Sequence, residues 1–563
     1  MDTPDHIEAL ISQGRYLEAR YLIENITTNS NTLKSEQLYG LALSKSGMPE
    51  DALQRLEALY KAYPDDPETA GILGSVYKEL FKKNQQTSFA KLARDTYLKN
   101  FIATKNYYTG INAAAMSAMI MQGSKSREIA NEIIGMIDPD TNNFWELATL
   151  GEAYLLIKNR NKAIEYYLKA RKAAGTDWGK IGSVYNQLWL LNHYIDGNQE
   201  AMKIFNPPGV VAFVGHMIDH PSRKTARFPA AIETQIKNSI LNSLQTLNAH
   251  IGFCSIACGS DILFAETMAE LGREVNIFLP FDVNDFTEVS VRFAGEQWVQ
   301  RFKSLIEKFP VNIITEEKYA GYDELFGLQS KVILGSALLR SATQQNKATL
   351  LTVLSETELK QKEGGTNSSL SLWPYRQNHI NINPDMFVSH NTIVPRASAN
   401  EQKSETISNR HLVHFIVINF IGLSQFHKDK LGKDLEQLNP DTLPFIKKQI
   451  ETDILIYAFK SEFNAFDLLD HLQGTMKYLP ADQKISITIH SGLIHQEESG
   501  LKGEALETAM ELNKLSLAGI IVSEHAAALL SLQVNKYTLD YAGSILTQHA
   551  RKYSIYRVSM SAK

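Results

Sequence analysis

The spacing of apolar residues changes twice along the chain, and each change predicts a different kind of structure. From residue 1 to about 205, apolar positions recur at intervals of three and four, as in LYGLALSKSGMPEDALQRLEALYKAYP. That is the period of amphipathic helices burying one stripe. At Pro207-Pro208 the period shortens to β-branched runs: GVVAFVGH, HIGFCSIACG, EVNIFLPF, VNIITEE and ATLLTVLSE. Helical stretches such as 260–272, 295–308 and 323–342 separate them, and this alternation predicts a doubly wound parallel sheet over 207–395. The polar stretch RASANEQKSETISNR marks a linker over 396–411. Beyond it, LVHFIVINFIGLS, TDILIYAFKS, KISITIHSGLI, GIIVSEHAAALL and YSIYRV interleave with helices, predicting an α+β domain over 412–563. The expected fold class is therefore multidomain, α followed by α/β followed by α+β.

The helical region contains an internal repeat. Gly40, Ala52 and Pro64 fall where a helix-pair repeat needs a small contact, a second small contact and a helix stop, and Gly74 follows Gly40 by 34 residues. The pattern returns at Leu150, Gly151, Tyr154, Ala163, Tyr167 and Ala170, whereas 82–140 fits poorly and predicts irregular pairs. Residues 1–205 thus resemble tetratricopeptide (TPR) proteins. More loosely, they are similar to the TRAF-binding-like helical region that precedes the kinase domain in apoptosis signal-regulating kinases. The resemblance implies a protein partner; a solenoid that only braces its neighbour stays open.

Composition narrows the classes. Apolar content of 44% and charged content of 21% describe a folded chain, and a formal net charge of -5 argues against general affinity for nucleic acid. The start, MDTPDHIEALISQ, has neither a signal-peptide nor a transit-peptide pattern, and no apolar run reaches the length of a membrane span. A cytoplasmic protein with no membrane partner is expected. The only cysteines, Cys254 and Cys258, have no nearby histidine to complete a metal site and are expected to be packed.

In open α/β sheets ligands sit outside the carboxyl ends of the strands. Gly215 ends the first run there; Asp219, Arg223 and Arg227 follow it; Gly259, Ser260 and Asp261 lie between a strand and a helix; Gly364, Gly365 and Thr366 follow ATLLTVLSE. Capping preference alone makes Asp261 a helix N-cap. Taken in order, GVVAFVGH, SIACGSDILFAETMAELG, EVNIFLPF and GGT resemble the SLOG superfamily, which includes the DNA-processing protein DprA and the LOG phosphoribohydrolases. The resemblance implies a nucleotide or nucleotide-derived ligand, with phosphate near Gly364, Gly365 and Thr366 and other groups near Gly215, Gly259 and Asp261. Where LOG hydrolases carry an acid after the Gly-Thr pair, this chain has Asn367, Ser368 and Ser369, which favours binding over glycosidic cleavage.

VINFIGLS, TDILIYAF, ITIHSGLI and IIVSEHAAALL resemble the catalytic domain of class III adenylate and guanylate cyclases, a ferredoxin-like fold. That family uses two carboxylates to hold two metal ions. Asn419 stands at the first position and Asp453 at the second; where an Asn and an Arg should orient ribose and phosphate, the chain has Glu507 and Glu511. Two carboxylates facing a polyphosphate reverse the required electrostatics, and no arginine lies between Arg410 and Arg551. His490 and His495 lack companion ligands and are expected in the core or in solvent. The family works as dimers, so a degenerate copy implies a homodimer or pairing with another cyclase domain.

Together these resemblances imply a non-catalytic bacterial signalling protein. Its α/β domain senses a nucleotide-type ligand, it has no catalytic residue and no metal, and it assembles through TPR-like and pseudo-cyclase domains. Two other readings stay open: an enzyme, through glycoside cleavage by Asp261 or Glu266 or through residual cyclase activity, and a purely structural scaffold.

Overall fold

The computed structural model describes residues 4–560 except 26–31, 195–198, 222, 224–225, 320, 322–323, 357–370, 389–409, 421, 437–445, 452, 481–482, 498–499 and 516–517. The chain divides into two compact units, residues 1–207 with 541–545 and residues 208–540 with 546–563.

The described part of residues 1–207 is helical throughout. The helices are α1 (Pro4–Ser12) and α2 (Tyr16–Asn25), α3 (Leu33–Lys45) and α4 (Pro49–Ala62), α5 (Pro67–Asn84) and α6 (Thr87–Thr104), α7 (Tyr107–Met119) and α8 (Gly123–Met136), α9 (Phe144–Leu156) and α10 (Arg160–Ala174), and α11 (Trp178–Leu191) and α12 (Gln199–Ile204). Local chemistry sets their ends. Asp66 caps α5 by accepting from the Thr69 amide at 2.7 Å, with Pro67 in the first turn. The repeat glycines let helices approach closely: a Cβ on Gly40 would lie 2.6 Å from Leu56, on Gly74 2.8 Å from Tyr97, and on Gly151 2.6 Å from Tyr167. Gly110, inside the stretch expected to be irregular, does the same against Phe101 at 2.7 Å. Helices α5 to α8 pair in the regular manner. The sequence pattern missed this because α5 and α6 run to 18 residues each, which shifts the later small contacts out of the repeat spacing.

The second unit holds two sheets. The first is parallel, with order β4-β3-β2-β1-β5-β6 for β1 (Gly209–Gly215), β2 (Ala249–Cys254), β3 (Glu274–Leu279), β4 (Val311–Ile313), β5 (Thr349–Val353) and β6 (His379–Ile382). Strand β1 is apolar at nearly every position because both faces are covered. Val211 and Phe213 pack with α13 (Glu233–Thr246), α14 (Ser260–Glu270) and α16 (Glu296–Lys308), which together with α15 (Val283–Ser290) follow the strands. Val210, Ala212 and Val214 face the opposite core, which contains α17 (Glu324–Ala342). Strand β6, HINI, was not anticipated; His379 and Asn381 interrupt it, so it has no β-branched run.

The second sheet is mixed, with order β13-β14-β12-β10-β7-β9-β8 and β11 paired to β10. Its strands are β7 (Arg410–Asn419), β8 (Ile446–Glu451), β9 (Ile454–Phe459), β10 (Ser486–Glu497), β11 (Gly500–Lys502), β12 (Gly519–Ser523), β13 (Tyr537–Leu546) and β14 (Lys552–Met560). Helix α18 (Gln425–Glu436) follows β7, and α19 (Glu462–Met476) follows β9. Val413, Phe415 and Val417 pack against α20 (Glu504–Leu515), while Ile416 and Ile418 join the core shared with α19, α21 (Glu524–Ser531) and α17. Helix α17 is mostly apolar over Val332–Leu339 because that stretch is packed between the parallel sheet and α21. Gly335 makes this possible: a Cβ there would fall 2.0 Å from the carbonyl oxygen of Ala528.

Candidate functional site

Strand β1 lies between β2 and β5, where the order of the parallel sheet reverses, and the carboxyl ends of these strands converge. Gly215 ends β1 so tightly against α14 that a Cβ would sit 2.2 Å from Ser260 Oγ. After β1 the chain crosses the β2–α14 turn, bridging Met217 to Gly259. The Ile218 amide donates to Cys258 O at 3.0 Å, and the Ser260 amide and hydroxyl both donate to His216 O, at 3.0 and 2.8 Å. The Ser355 amide, just past β5, donates to His216 Nε2 at 3.2 Å. His216 and Ser355, which the sequence reading missed, therefore tie the three segments together.

Gly259, not Asp261, holds the cap position of α14. Its φ is +116°, and a Cβ there would lie 2.5 Å from the Ile218 amide, so only glycine lets the chain cross. Asp261 is the second residue of the helix, and its carboxyl is buried. Burial pushes it up to about 7, against the backbone amides of Ala257 and Gly215, which favour its charged form. Asp219 accepts from the Arg227 amide at 3.0 Å and the Phe228 amide at 3.1 Å, with Arg223 Nε 3.3 Å away, so it organises its own loop. Gly364, Gly365 and Thr366 lie outside the described residues. Cys254 and Cys258 are free and buried, and burial pushes the Cys258 thiol up to about 12, away from reactivity. Glu266 is held by Arg301 through two 2.7 Å contacts, and Arg301 also pairs with Glu233 and lies over Trp298. On β6, Asn381 Oδ1 accepts from Thr352 Oγ1 at 2.7 Å and from the Leu354 amide at 3.2 Å, pinning the end of β5.

In the mixed sheet, Asn419 ends β7 opposite Ile454, and Asp453 directly precedes β9, so the two come together at one end of neighbouring strands. Lys428 of α18 reaches this corner, its ammonium 2.6 Å from Asp453 Oδ1. A lysine ammonium thus faces the Asp453 carboxylate. Glu507 and Glu511 share the outer side of α20. His549 Nε2 lies 2.8 Å from Glu507, whose carboxylate also accepts from Gln548 Nε2 at 3.1 Å, and Glu511 accepts from the Gln548 amide at 3.3 Å. His490 is buried 2.9 Å from Ser523 Oγ, and burial pushes it well below the usual histidine range. His495 pairs with Glu317 at 3.1 Å. Among the described residues no group of three or more His, Cys, Asp or Glu side chains could hold a metal ion. No helix among them is long and apolar enough to cross a membrane.

The helical pairs of the first unit, with a glycine at each close approach, have the geometry of stacked repeats. Residues 15–117 match the family model TPR-S, Tetratricopeptide Repeats-Sensor. The TPR-like character of this region is thus established, over a minority of the chain. No curated protein matches the chain. Among solved structures, the thermophilic TPR protein TTC0263 from Thermus thermophilus is 17% identical, with 32% of this chain and 95% of that chain covered and a TM-score of 0.28. A structure of MamA MSR-1 is 18% identical, with 30% and 92% covered and a TM-score of 0.24. An adenylate/guanylate cyclase/hydrolase from Silicibacter pomeroyi is 17% identical, with 27% and 99% covered and a TM-score of 0.24.

The TPR-like region also holds a chain of polar side chains that the sequence reading missed. Lys78 of α5 donates to Asn112 Oδ1 of α7 at 2.8 Å and to Gln187 Oε1 of α11 at 2.9 Å, while Gln187 Nε2 donates to Glu152 Oε1 of α9 at 2.7 Å. Desolvation pushes Lys78 down and Glu152 up. The signal lay in the sequence as polar residues recurring once per pair on first helices, at 78, 112, 152 and 187, amid otherwise apolar or small faces.

Proposed function

We propose that this chain is a non-catalytic signalling protein, in which a SLOG-like α/β part binds a nucleotide-type ligand and the TPR-like region contacts a protein partner. The observation that carries the ligand reading is the placement of Gly215, Gly259 and Asp261 together at the strand-order reversal between β1 and β5. Gly364, Gly365 and Thr366 follow β5 in the sequence. A buried carboxyl at Asp261 disfavours a phosphate beside it and suits a donor such as a ribose hydroxyl. That leaves the phosphates to the glycine segment after β5. Arg223 and Arg227, in the loop after β1, supply positive charge near the crevice.

A cyclase-like identity of the mixed sheet fits its strand order, and its chemistry supports a regulatory or assembly role. With Asn419 in place of an acid, Lys428 on Asp453, and Glu507 and Glu511 facing a polyphosphate, two metal ions and a triphosphate have no favourable seat. The module then serves for homodimerisation or for pairing with another cyclase domain. A thermal-shift panel of nucleoside mono-, di- and triphosphates, dinucleotides and cyclic nucleotides tests the ligand reading. At least one class raises the melting temperature of wild type, and Asp261→Asn reduces the shift. No shift with any member overturns nucleotide binding, and catalytic conversion of a panel member overturns the non-enzyme reading.

A further inference from the structure

The mixed-sheet half of the second unit buries three imidazoles. His414 on β7, His490 on β10 and His525 in the first turn of α21 are 3%, 2% and 2% exposed. The helical unit has two histidines, His6 and His193, both exposed. The surroundings of the buried rings suit a neutral imidazole. His414 Nδ1 lies 2.8 Å from Ser491 Oγ on the adjacent strand, and His490 Nδ1 lies 2.9 Å from Ser523 Oγ at the end of β12. His525 Nδ1 has no hydrogen-bond partner among the described residues. The His490 and His525 rings stack at 6.4 Å, and each meets Tyr553 edge to face, at 5.6 and 5.9 Å.

A proton on any of these rings has no free counter-ion. Glu462 of α19 stands 3.7 Å from His414 Nε2, but it is paired with Lys331 of α17, whose charge opposes an imidazolium. Glu524 stands 3.9 Å from His525 Nε2 and accepts from the Ser554 amide at 3.0 Å. The Arg551 guanidinium, held by Glu504 of α20 at 3.0 Å, acts against a charge on both His490 and His525. Burial pushes His414 down to about 4, His525 down to about 3 and His490 well below the usual range. In the unfolded chain each ring takes up a proton near pH 6.5, so the stability these rings contribute is complete above that pH and is lost below it. At pH 5 each lowers the folding equilibrium constant about 30-fold. His379 and His411 shift in the same sense, while the raised carboxyls Asp261 and Glu524 oppose them. Because the two sheets share one core, the loss falls on the whole second unit. In the repeats the raised Glu152 makes acid favourable to the fold.

We propose that the second unit is released by protons: in mild acid the body of the two sheets unfolds through His414, His490 and His525, while the helical repeats stay folded. Whatever the second unit binds or assembles with is then let go, and the contacts of the repeats are kept. This inference stands apart from the nucleotide reading and from the choice between homodimer and mixed pairing.

Urea unfolding of the full chain at a series of pH values from about 5 to 8, followed by pulsed hydrogen exchange and peptide mass spectrometry, reads the two units separately. In wild type the urea midpoint of peptides from 410–560 falls steeply in acid, while that of peptides from 33–191 does not. His414→Asn, His490→Asn and His525→Asn each reduce the slope of the logarithm of the folding constant against pH, between about 5 and 6, by about one. Equal slopes in wild type and all three variants, or an acid loss shared equally by the repeats, overturns the proposal. The wild-type chain carries the test if a variant fails to fold: deuterium exchange at the imidazole C2 position is at least ten-fold slower at His414, His490 and His525 than at His6 and His193. Equal exchange at all five shows that the three rings are not held neutral and buried, and overturns it as well.

Discussion

At the scale of single residues, the consequential positions are those whose neighbours leave no freedom. Asp261 is one. Its folded-state pKa is raised from 3.8 to about 7, so the folded protein keeps a proton that the unfolded chain has lost, and stability falls as pH rises from about 4 through 7. The full cost is on the order of 4 kcal/mol above pH 7 and roughly 1–2 kcal/mol at pH 5. Asp261→Asn removes it, so the variant gains melting temperature over wild type by more at pH 8 than at pH 5. A pH-independent difference in thermal unfolding would show that the carboxyl is not buried as described. Glycines give a second contrast. Gly151→Ala drives a Cβ to 2.6 Å from Tyr167 and destabilises the helical unit by about 1–3 kcal/mol. Gly135→Ala, exposed on α8 with nothing within 4 Å, stabilises it by about 0.5–1 kcal/mol. Chemical denaturation followed by circular dichroism at 222 nm ranks the three chains.

At the scale of elements, α17 carries the most. It is the crossover between β4 and β5 and at the same time a core helix for α21, whose Ser531 hydroxyl donates to Gly335 O at 3.0 Å. The obstacle to a larger residue at 335 is backbone, which cannot rotate away as a side chain can. Gly335→Val is therefore expected to cost 3 kcal/mol or more, roughly the upper range for overpacking, and to make 410–560 sensitive to limited proteolysis. Unchanged protease resistance would rule out α17 as the joint. On the mixed sheet, the Lys428 ammonium lies 2.6 Å from Asp453 Oδ1 and ties α18 to the start of β9.

At the scale of the whole molecule, the shared core makes one cooperative body of both sheets, while the helical repeats form another. Scanning calorimetry of the full chain should show two transitions, with Gly335→Val lowering one and Gly151→Ala the other; a single transition lowered equally by both would contradict separate cores. On the proposed pseudo-cyclase reading, wild type with Mg²⁺ or Mn²⁺ is expected to form no cyclic nucleotide from ATP or GTP, and Lys428→Ala to restore none because Asn419, Glu507 and Glu511 remain; product from wild type would overturn that reading.

The period of apolar residues determined the helical repeats, β1 to β5 of the parallel sheet and the order of the α+β segment, because burial on one face or two leaves a mark at fixed spacing. It determined Gly40, Gly74 and Gly151 as contact points for the same reason. Short or polar strands such as β6 left too few positions for any period. Only the tertiary structure decided that Gly259 and not Asp261 caps α14, since the strand crossing that forces glycine comes from residues 216–218. It alone joined Lys78 to Gln187 and set Lys428 on Asp453, contacts between residues far apart in the chain that no local spacing encodes. It alone gave α17 two sheets to serve, because a largely apolar helix announces that it is buried and not what buries it.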